Sequence, residues 1–345
     1  MYGTENKLSM GVLSAMAGNR AANFAVQNSD FVLVLGNRLT AMATGNSAEK
    51  FAREAKIYTV DIDENEHKKG NIRIDKNIIA DVKDVLEKLN KKSLKETSKE
   101  WQDKCLEWKQ IFPKLEDSYK NEPEVDLYQL ADALSSKMSV DDVLVTDAGL
   151  EELIIPTNTT FKDNQRALHP VNQGAMGYAI PAAVGGYLAS GKNTIVVVGD
   201  GSIMMNIQEL QTIAHNKLPI KIIVVNNNCY AVIRKRQLDL FRTRTVGTDK
   251  DNGISCPDFE KVADCFGFKF VKINSNDEIN KLDEILKMNE PVICEVMGKP
   301  DQKYLHSSYR RNKDGKFIQP PLEDQSPFMD RDLFLSQMVV EPIDL

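Results

Sequence analysis

The sequence predicts an α/β protein: two three-layer α/β/α domains built on mainly parallel sheets. Three observations predict it. Short runs rich in Val, Ile and Leu recur at 31–35, 57–62, 143–146, 195–198, 220–225 and 291–297. Segments with helical spacing of apolar residues stand between them. Most runs close on turns of Gly, Asp or Asn, as strand-end loops in such folds do. At 345 residues the chain fits one large domain or two ordinary ones, and a hydrophobic fraction of 42% can fill real cores.

In order, residues 1–22 are rich in Gly, Ala, Ser and Met and read as a loop leading into a closely packed helix. Strand 31–35 closes on Gly36-Asn37-Arg38, and 47–55 reads as a short helix. Strand 57–62 ends in Asp61 and Asp63. Residues 78–90 read as an amphipathic helix with apolar Ile78, Ile79, Val82, Val85, Leu86 and Leu89. This is Rossmann-like alternation with no G-x-G-x-x-G fingerprint. Residues 91–121 are highly charged, with Trp101, Cys105, Trp108, Ile111 and Phe112 forming the apolar side of a surface helix, a linker between domains. A helix over 127–137 and strand 143–146 follow, the latter ending in Asp147-Ala148-Gly149. The small residues of 174–183 suggest a tightly packed core helix. Residues 231–256 carry Arg234, Lys235, Arg236, Arg242 and Arg244, either a solvated loop or a receiver for carboxylate or phosphate. Helices at 258–267 and 277–288, strand 268–273 and a last buried strand 291–297 complete the pattern. Residues 298–345, with five prolines, read as an extended strap. The division is 1–90, linker 91–122, 123–298, and tail 299–345.

Composition narrows the partners. Net charge is −6 with no long basic block, against nucleic acid or an anionic membrane. No run reaches the roughly 20 apolar residues of a membrane span, and the first residues lack signal-peptide order. The five cysteines are scattered without a CxxC pair, so neither a zinc ribbon nor an iron–sulfur cluster is supported and a reduced cytoplasm fits. The four histidines show no metal spacing; His215 reads as a residue of a helix C-terminus.

The stretch 195–230 carries the chemistry. An apolar run ends in Gly199-Asp200-Gly201-Ser202; a helical segment from Ile203 to Ala214 follows, and a second run ends in Asn226-Asn227-Asn228. In a β-α-β unit the two strands lie parallel, so Asp200 and Asn227 both sit at carboxyl ends of strands, where open α/β sheets bind ligands. Asp200 and Asn227 offer hard oxygens suited to Mg²⁺ or Ca²⁺. Gly199 and Gly201 let the backbone approach a ligand, and the amides of Ser202 and Ile203 at a helix start suit a phosphate. This reads as a metal-diphosphate site, or as an ordinary β-α-β unit with polar strand ends.

Gly199-Asp200-Gly201 followed at this gap by Asn226-Asn227 resembles the signature of thiamine diphosphate-dependent enzymes, and GDGSIMMNIQEL is similar to the acetolactate synthase group. The resemblance implies Mg²⁺ on Asp200, Asn227 and the carbonyl of Cys229. It implies cofactor contacts at Asp147, Gly149, Gly174, Gly199, Gly201, Ser202, Ile203 and Tyr230. It makes Met176 the apolar wedge that bends the cofactor, with the Gly174 carbonyl accepting from its aminopyrimidine. Residues 1–90 then resemble part of the middle domain, through Met16-Ala17-Gly18, Ala22-Asn23, Leu35-Gly36-Asn37-Arg38 and Asp61-Ile62-Asp63. In some relatives that domain holds FAD, with Arg38 and Asp63 as its contacts; in others it is structural. Where the group has glutamine and histidine after the Asp147-Ala148-Gly149 turn, this chain has Leu150, Glu151 and Glu152. A carboxylate beside a diphosphate is unfavourable unless it turns away.

The implied function is a decarboxylating carboligase for a 2-oxo acid, pyruvate foremost, with a second 2-oxo acid or a keto sugar nucleotide as acceptor. The tail and the Asp147 turn resemble acetolactate synthase-like proteins of cell-surface saccharide biosynthesis. The family's pyrimidine-binding domain, whose glutamate activates the cofactor, finds no counterpart here, so no catalytic acid is assignable in this chain. The expectation is a homo-oligomer or a separate chain supplying that domain, with no nucleic acid and no membrane. The alternative is a non-catalytic cofactor-binding or interaction module. A 2-oxo acid–ferredoxin oxidoreductase subunit would share the turn, but its cluster cysteines are not found at the right spacing.

Overall fold

The computed structural model describes residues 3–68, 70–120, 123–170, 172–241 and 244–343. The chain divides into two compact units. One comprises Met10–Pro113 with Tyr304–Leu345, the other Met1–Ser9 with Lys114–Lys303.

In the first unit the order is α1 (Arg20–Gln27), β1 (Phe31–Leu35), α2 (Ala41–Thr44), β2 (Lys56–Asp61), β3 (Lys76–Ile79), α3 (Val82–Asn90) and α4 (Lys99–Ile111). The three strands pair in parallel in the order β1-β2-β3. Residues 78–90 are not one helix. Ile78 and Ile79 pair with Val60 and Asp61 as the third strand. The Asp81 carboxylate then accepts the Lys83 amide at 2.7 Å and starts α3 as its N-cap. Within 47–55 the helical part is one 3₁₀ turn, Ala48–Lys50. Nor is α4 merely a surface helix: Trp108 is completely buried with Ala21, Phe24, Phe112 and Phe334, and its indole N–H donates to the Gln337 carbonyl at 3.2 Å.

The second unit runs α5 (Leu127–Lys137), β4 (Val143–Thr146), α6 (Leu150–Asn158), β5 (Arg166–Leu168), α7 (Ala179–Ser190), β6 (Thr194–Gly199), α8 (Glu209–His215), β7 (Lys221–Asn226), α9 (Ala231–Leu240), α10 (Phe259–Phe266), β8 (Lys269–Ile273), α11 (Leu282–Ile285) and β9 (Val292–Met297). Its six strands are all parallel, in the order β5-β4-β6-β7-β9-β8. Strands buried on both faces need continuous β-branched runs, and β6 and β7 are buried at every position. Val143, Val145, Val196, Val198, Ile222 and Val224 pack on one side against Ala179 and Ala183 of α7, Leu210 and Ile213 of α8, and Phe259 and Ala263 of α10. Helix α6 lies against β4 and β6 as well. The chain therefore is an α/β protein with mainly parallel sheets.

Several boundaries differ from the sequence reading, each for a local reason. The segment 203–214 breaks after a 3₁₀ turn at Ile203–Met205, because the Asn206 amide donates to the Gly177 carbonyl at 2.8 Å and draws the chain aside. Residues 174–178 form a turn, with Gly174 and Gly177 at positive φ, and α7 begins only at Ala179. Residues 231–240 are helical rather than loop. The segment 277–288 divides into a 3₁₀ stretch, Asn276–Lys281, and the short α11.

The strap is more structured than its prolines suggest. It holds a small hairpin of β10 (Arg310–Arg311) and β11 (Phe317–Ile318), then α12 (Arg331–Gln337). Between them three polar side chains are buried against the Met10–Pro113 segment and the strap itself. Glu323 accepts from Gln27 at 2.7 Å and Arg53 at 2.8 Å. Asp324 pairs with Arg310 at 2.9 Å and Arg331 at 2.7 Å. The Gln325 side-chain oxygen accepts from Asn23 at 3.0 Å. Among the described residues no helix is long and apolar enough to cross a membrane.

Candidate functional site

The carboxyl ends of β4, β6 and β7 meet at one cavity of about 200 Å³. Adjacent parallel strands β6 and β7 are in register, Gly199 opposite Val225, so the turns after them face each other. Gly149, Gly174, Met176, Gly199, Asp200, Gly201, Ser202, Asn227, Cys229 and Tyr230 all line the cavity. Two candidates stand behind the wall instead. Ile203 belongs to the apolar core. Asp147 is completely buried, and its carboxylate accepts the amides of Ala148 at 2.9 Å, Gly177 at 2.9 Å and Ala179 at 2.7 Å. That carboxylate fixes the 174–178 turn and thereby Met176, three residues before the bonded Ala179 and one before Gly177.

The turn after β6 is tied down from two sides. Asp200 accepts the amides of Gly201 and Asn228, both at 2.7 Å. The Ser202 hydroxyl donates to the Ala148 carbonyl at 3.1 Å, linking this turn to the one after β4. Asn227 uses one lone pair of its side-chain oxygen on the Cys229 amide at 3.1 Å. The Cys229 thiol also donates to that asparagine oxygen, at 3.5 Å. Tyr230 packs closely against the glycine turn: a Cβ at Gly201 would stand 1.8 Å from its Cε1. Gly201→Ala is therefore expected to displace the ring and cost about 1–3 kcal/mol, read as a lowered urea midpoint; an unchanged midpoint would show that Tyr230 moves freely.

The electrostatics are dominated by acids. Burial pushes the Asp200 carboxyl above its ordinary value, against the pull of the Gly201 and Asn228 amides. Burial also raises Asp147, opposed by its three amides. Glu151, in the first turn of α6, is pushed up to about 8, first by burial and then by the charges of Asp200 and Asp147. Its neighbour Glu152 is raised to about 7 by burial and by Asp147. The sequence reading let Glu151 turn away; the structure turns it inward, onto the cavity wall. Alternation along β4 could not show this, because the helix phase after Gly149 decides which of Leu150, Glu151 and Glu152 points in. Ala231, Val232 and Ile233 line the cavity as well, and they open a helix in place of the expected loop.

Among the described residues no three His, Cys, Asp or Glu side chains gather as metal ligands. A cation here would rely on mixed oxygens: the Asp200 carboxylate, the Asn227 amide oxygen and the Cys229 carbonyl. That donor set, beside a glycine turn a Cβ would block, fits a small hard cation carrying a phosphate-bearing ligand. The basic residues after Tyr230 are partly committed elsewhere, Arg234 to Asp249 at 3.3 Å and Lys235 to Asp239 at 3.0 Å; Arg242 lies outside the described residues. In the other unit, Arg38 pairs with Glu66 at 3.2 Å, and Asp63 accepts the Asn65 amide in its own turn.

Residues 147–296 match the family model "Thiamine pyrophosphate enzyme, C-terminal TPP binding domain", and residues 1–89 match "Thiamine pyrophosphate enzyme, central domain". The chain is 30% identical over 306 residues to an acetolactate synthase large subunit of Porphyra purpurea, covering 86% of this chain and 50% of that protein. It is 32% identical over 306 residues to a probable acetolactate synthase large subunit of Methanocaldococcus jannaschii, covering 86% and 51%. It is 29% identical over 289 residues to the acetolactate synthase isozyme 2 large subunit of Escherichia coli, covering 81% and 50%. The chain thus spans about half the length of the curated relatives it matches. Two successive domain matches, and a glycine–aspartate turn facing an asparagine turn across adjacent strands, place this chain in the acetolactate synthase-like group of the thiamine diphosphate-dependent enzymes.

Proposed function

We propose that the chain is the cofactor- and cation-holding portion of a thiamine diphosphate- and Mg²⁺-dependent carboligase that decarboxylates a 2-oxo acid, pyruvate foremost. Its acceptor is a second 2-oxo acid or a keto sugar nucleotide. The observation that carries the reading is the convergence of Asp200, Asn227 and Cys229 on one cavity with the Gly199–Ser202 turn. When bound, the thiazolium of the cofactor supplies the electron sink for losing CO₂. The chain's residues position it. Asp200, Asn227 and the Cys229 carbonyl hold the cation, the 199–202 turn meets the diphosphate, and Met176 presses an apolar, polarisable side chain into the cavity. Asp147 locks the turn that carries Met176. Proton transfer at the pyrimidine needs a carboxyl group that this reading assigns to a pyrimidine-binding domain, supplied by another polypeptide or another part of the protein.

A second reading, a cofactor-binding module without catalysis, is favoured by one observation: acidic Glu151 lines the cavity where a diphosphate would lie. Calorimetric titration of thiamine diphosphate with Mg²⁺ separates the possibilities. The wild-type chain is expected to bind, and Asp200→Ala to weaken binding at least a hundredfold, about 2.7 kcal/mol or more. Unchanged Mg²⁺-dependent binding by Asp200→Ala would overturn the cation assignment. Pyruvate consumption after adding a pyrimidine-binding domain would then decide between enzyme and module.

A further inference from the structure

Glu151 is 4% exposed and lines the same cavity as Asp200 and Asn227. One carboxyl oxygen lies 2.6 Å from where a Cβ would stand on Gly149, and the two oxygens lie 3.3 and 3.4 Å from that point on Gly199. The carboxyl group therefore rests on the backbone just before Asp200. No other side chain, cationic or neutral, pairs with it among the described residues. The neighbouring acids differ. Asp147 is committed to three amides and does not line the cavity, and Glu152 lies beyond the cavity wall, by Gly174.

A buried charge without a partner is strongly unfavourable, so in the metal-free chain this carboxyl is neutral, and a cation beside it would give the carboxylate a partner. Asp200, Asn227 and the Cys229 carbonyl together bring one negative charge. Mg²⁺ held by so few protein groups leans on the phosphates of its ligand. A second carboxylate changes that balance. We propose that Glu151 is a further ligand of the cation held by Asp200, Asn227 and Cys229, so that the ion binds this chain in the absence of any diphosphate. The proposal rests on the cation reading of the site. It departs from the sequence expectation that a carboxylate here must turn away, because the oxygen serves the ion and the ion serves the phosphate.

Mn²⁺ is the probe, titrated into the intact chain without diphosphate and followed by its electron paramagnetic resonance signal. The wild type is expected to bind one Mn²⁺ per chain. Glu151→Gln, which keeps the shape and removes the charge, should raise Kd at least tenfold. Glu151→Met, which removes both oxygens and keeps the volume, should raise it further. Glu152→Gln should bind as wild type, and melting curves of all variants report folding. Equal Mn²⁺ affinity in wild type and folded Glu151→Met would overturn the proposal. So would a wild type that takes up Mn²⁺ only with thiamine diphosphate present, although the cation reading would survive. Unchanged Mn²⁺ binding in Asp200→Ala would overturn both.

Discussion

Raising the pH of the metal-free chain from 5 to 8 is expected to lower the stability of the Lys114–Lys303 unit by about 4 kcal/mol through Glu151. The unfolded carboxyl ionises near its ordinary 4.5, the folded one near 8. Between those values the folded state holds a proton that the unfolded state has released. Stability is therefore full below about 4.5 and is lost as pH rises towards 8, at about 1.4 kcal/mol per unit. Burial is the leading cause, and the nearby charges of Asp200 and Asp147 act in the same direction. Glu151→Gln cannot ionise, so its urea midpoints should fall much less over this range. Parallel pH profiles for the two proteins would show that water or a cation reaches the wild-type carboxyl in the folded state.

Trp108→Ala is expected to remove about 4 kcal/mol from the other unit. The indole is the largest completely buried side chain, ringed by Phe24, Phe112 and Phe334. Phe24 lies 5.9 Å away, centroid to centroid, and Trp101 meets Trp108 edge-on at 5.6 Å. Truncation leaves a cavity between α1, α4 and α12 and frees the Gln337 carbonyl from its indole donor. Chemical unfolding followed by tryptophan fluorescence at Trp101 gives the readout. A loss under 1 kcal/mol would mean that the three helices close over the gap.

Those two residues also show what the sequence could and could not convey. The centre of the larger sheet was legible because its strands are uninterrupted β-branched runs and its turns are spelled in Gly, Asp and Asn. Asp200 and Asn227 could be placed from that pattern alone, since parallel neighbours put both at one sheet end. Glu151 could not, because one residue of helix phase separates an inward carboxyl from a solvated one. The 174–178 turn was misread as helix because small residues suit both. What decides is the Asp147 carboxylate, 30 residues earlier, which claims the Gly177 and Ala179 amides. Trp108 was read as part of a surface helix because its partners Phe24 and Phe334 are far away in sequence. Local periodicity reports which face is apolar and says nothing of what will cover it.

The strap has a consequence for how the protein is made. Asn23, Gln27 and Arg53 find partners in Glu323 and Gln325, about 300 residues later on the ribosome's schedule. The Lys114–Lys303 unit is contiguous enough to fold as it emerges, whereas the segment that precedes it must wait for the last 42 residues, Tyr304–Leu345. Synthesis proceeds at roughly 5–20 residues per second. During that interval Phe24 and Trp108 lack Phe334, so the nascent chain presents an unfinished aromatic cluster to chaperones and proteases. A premature stop before Leu322 would leave Lys114–Lys303 whole and strip Glu323, Gln325 and Phe334 from the Met10–Pro113 segment.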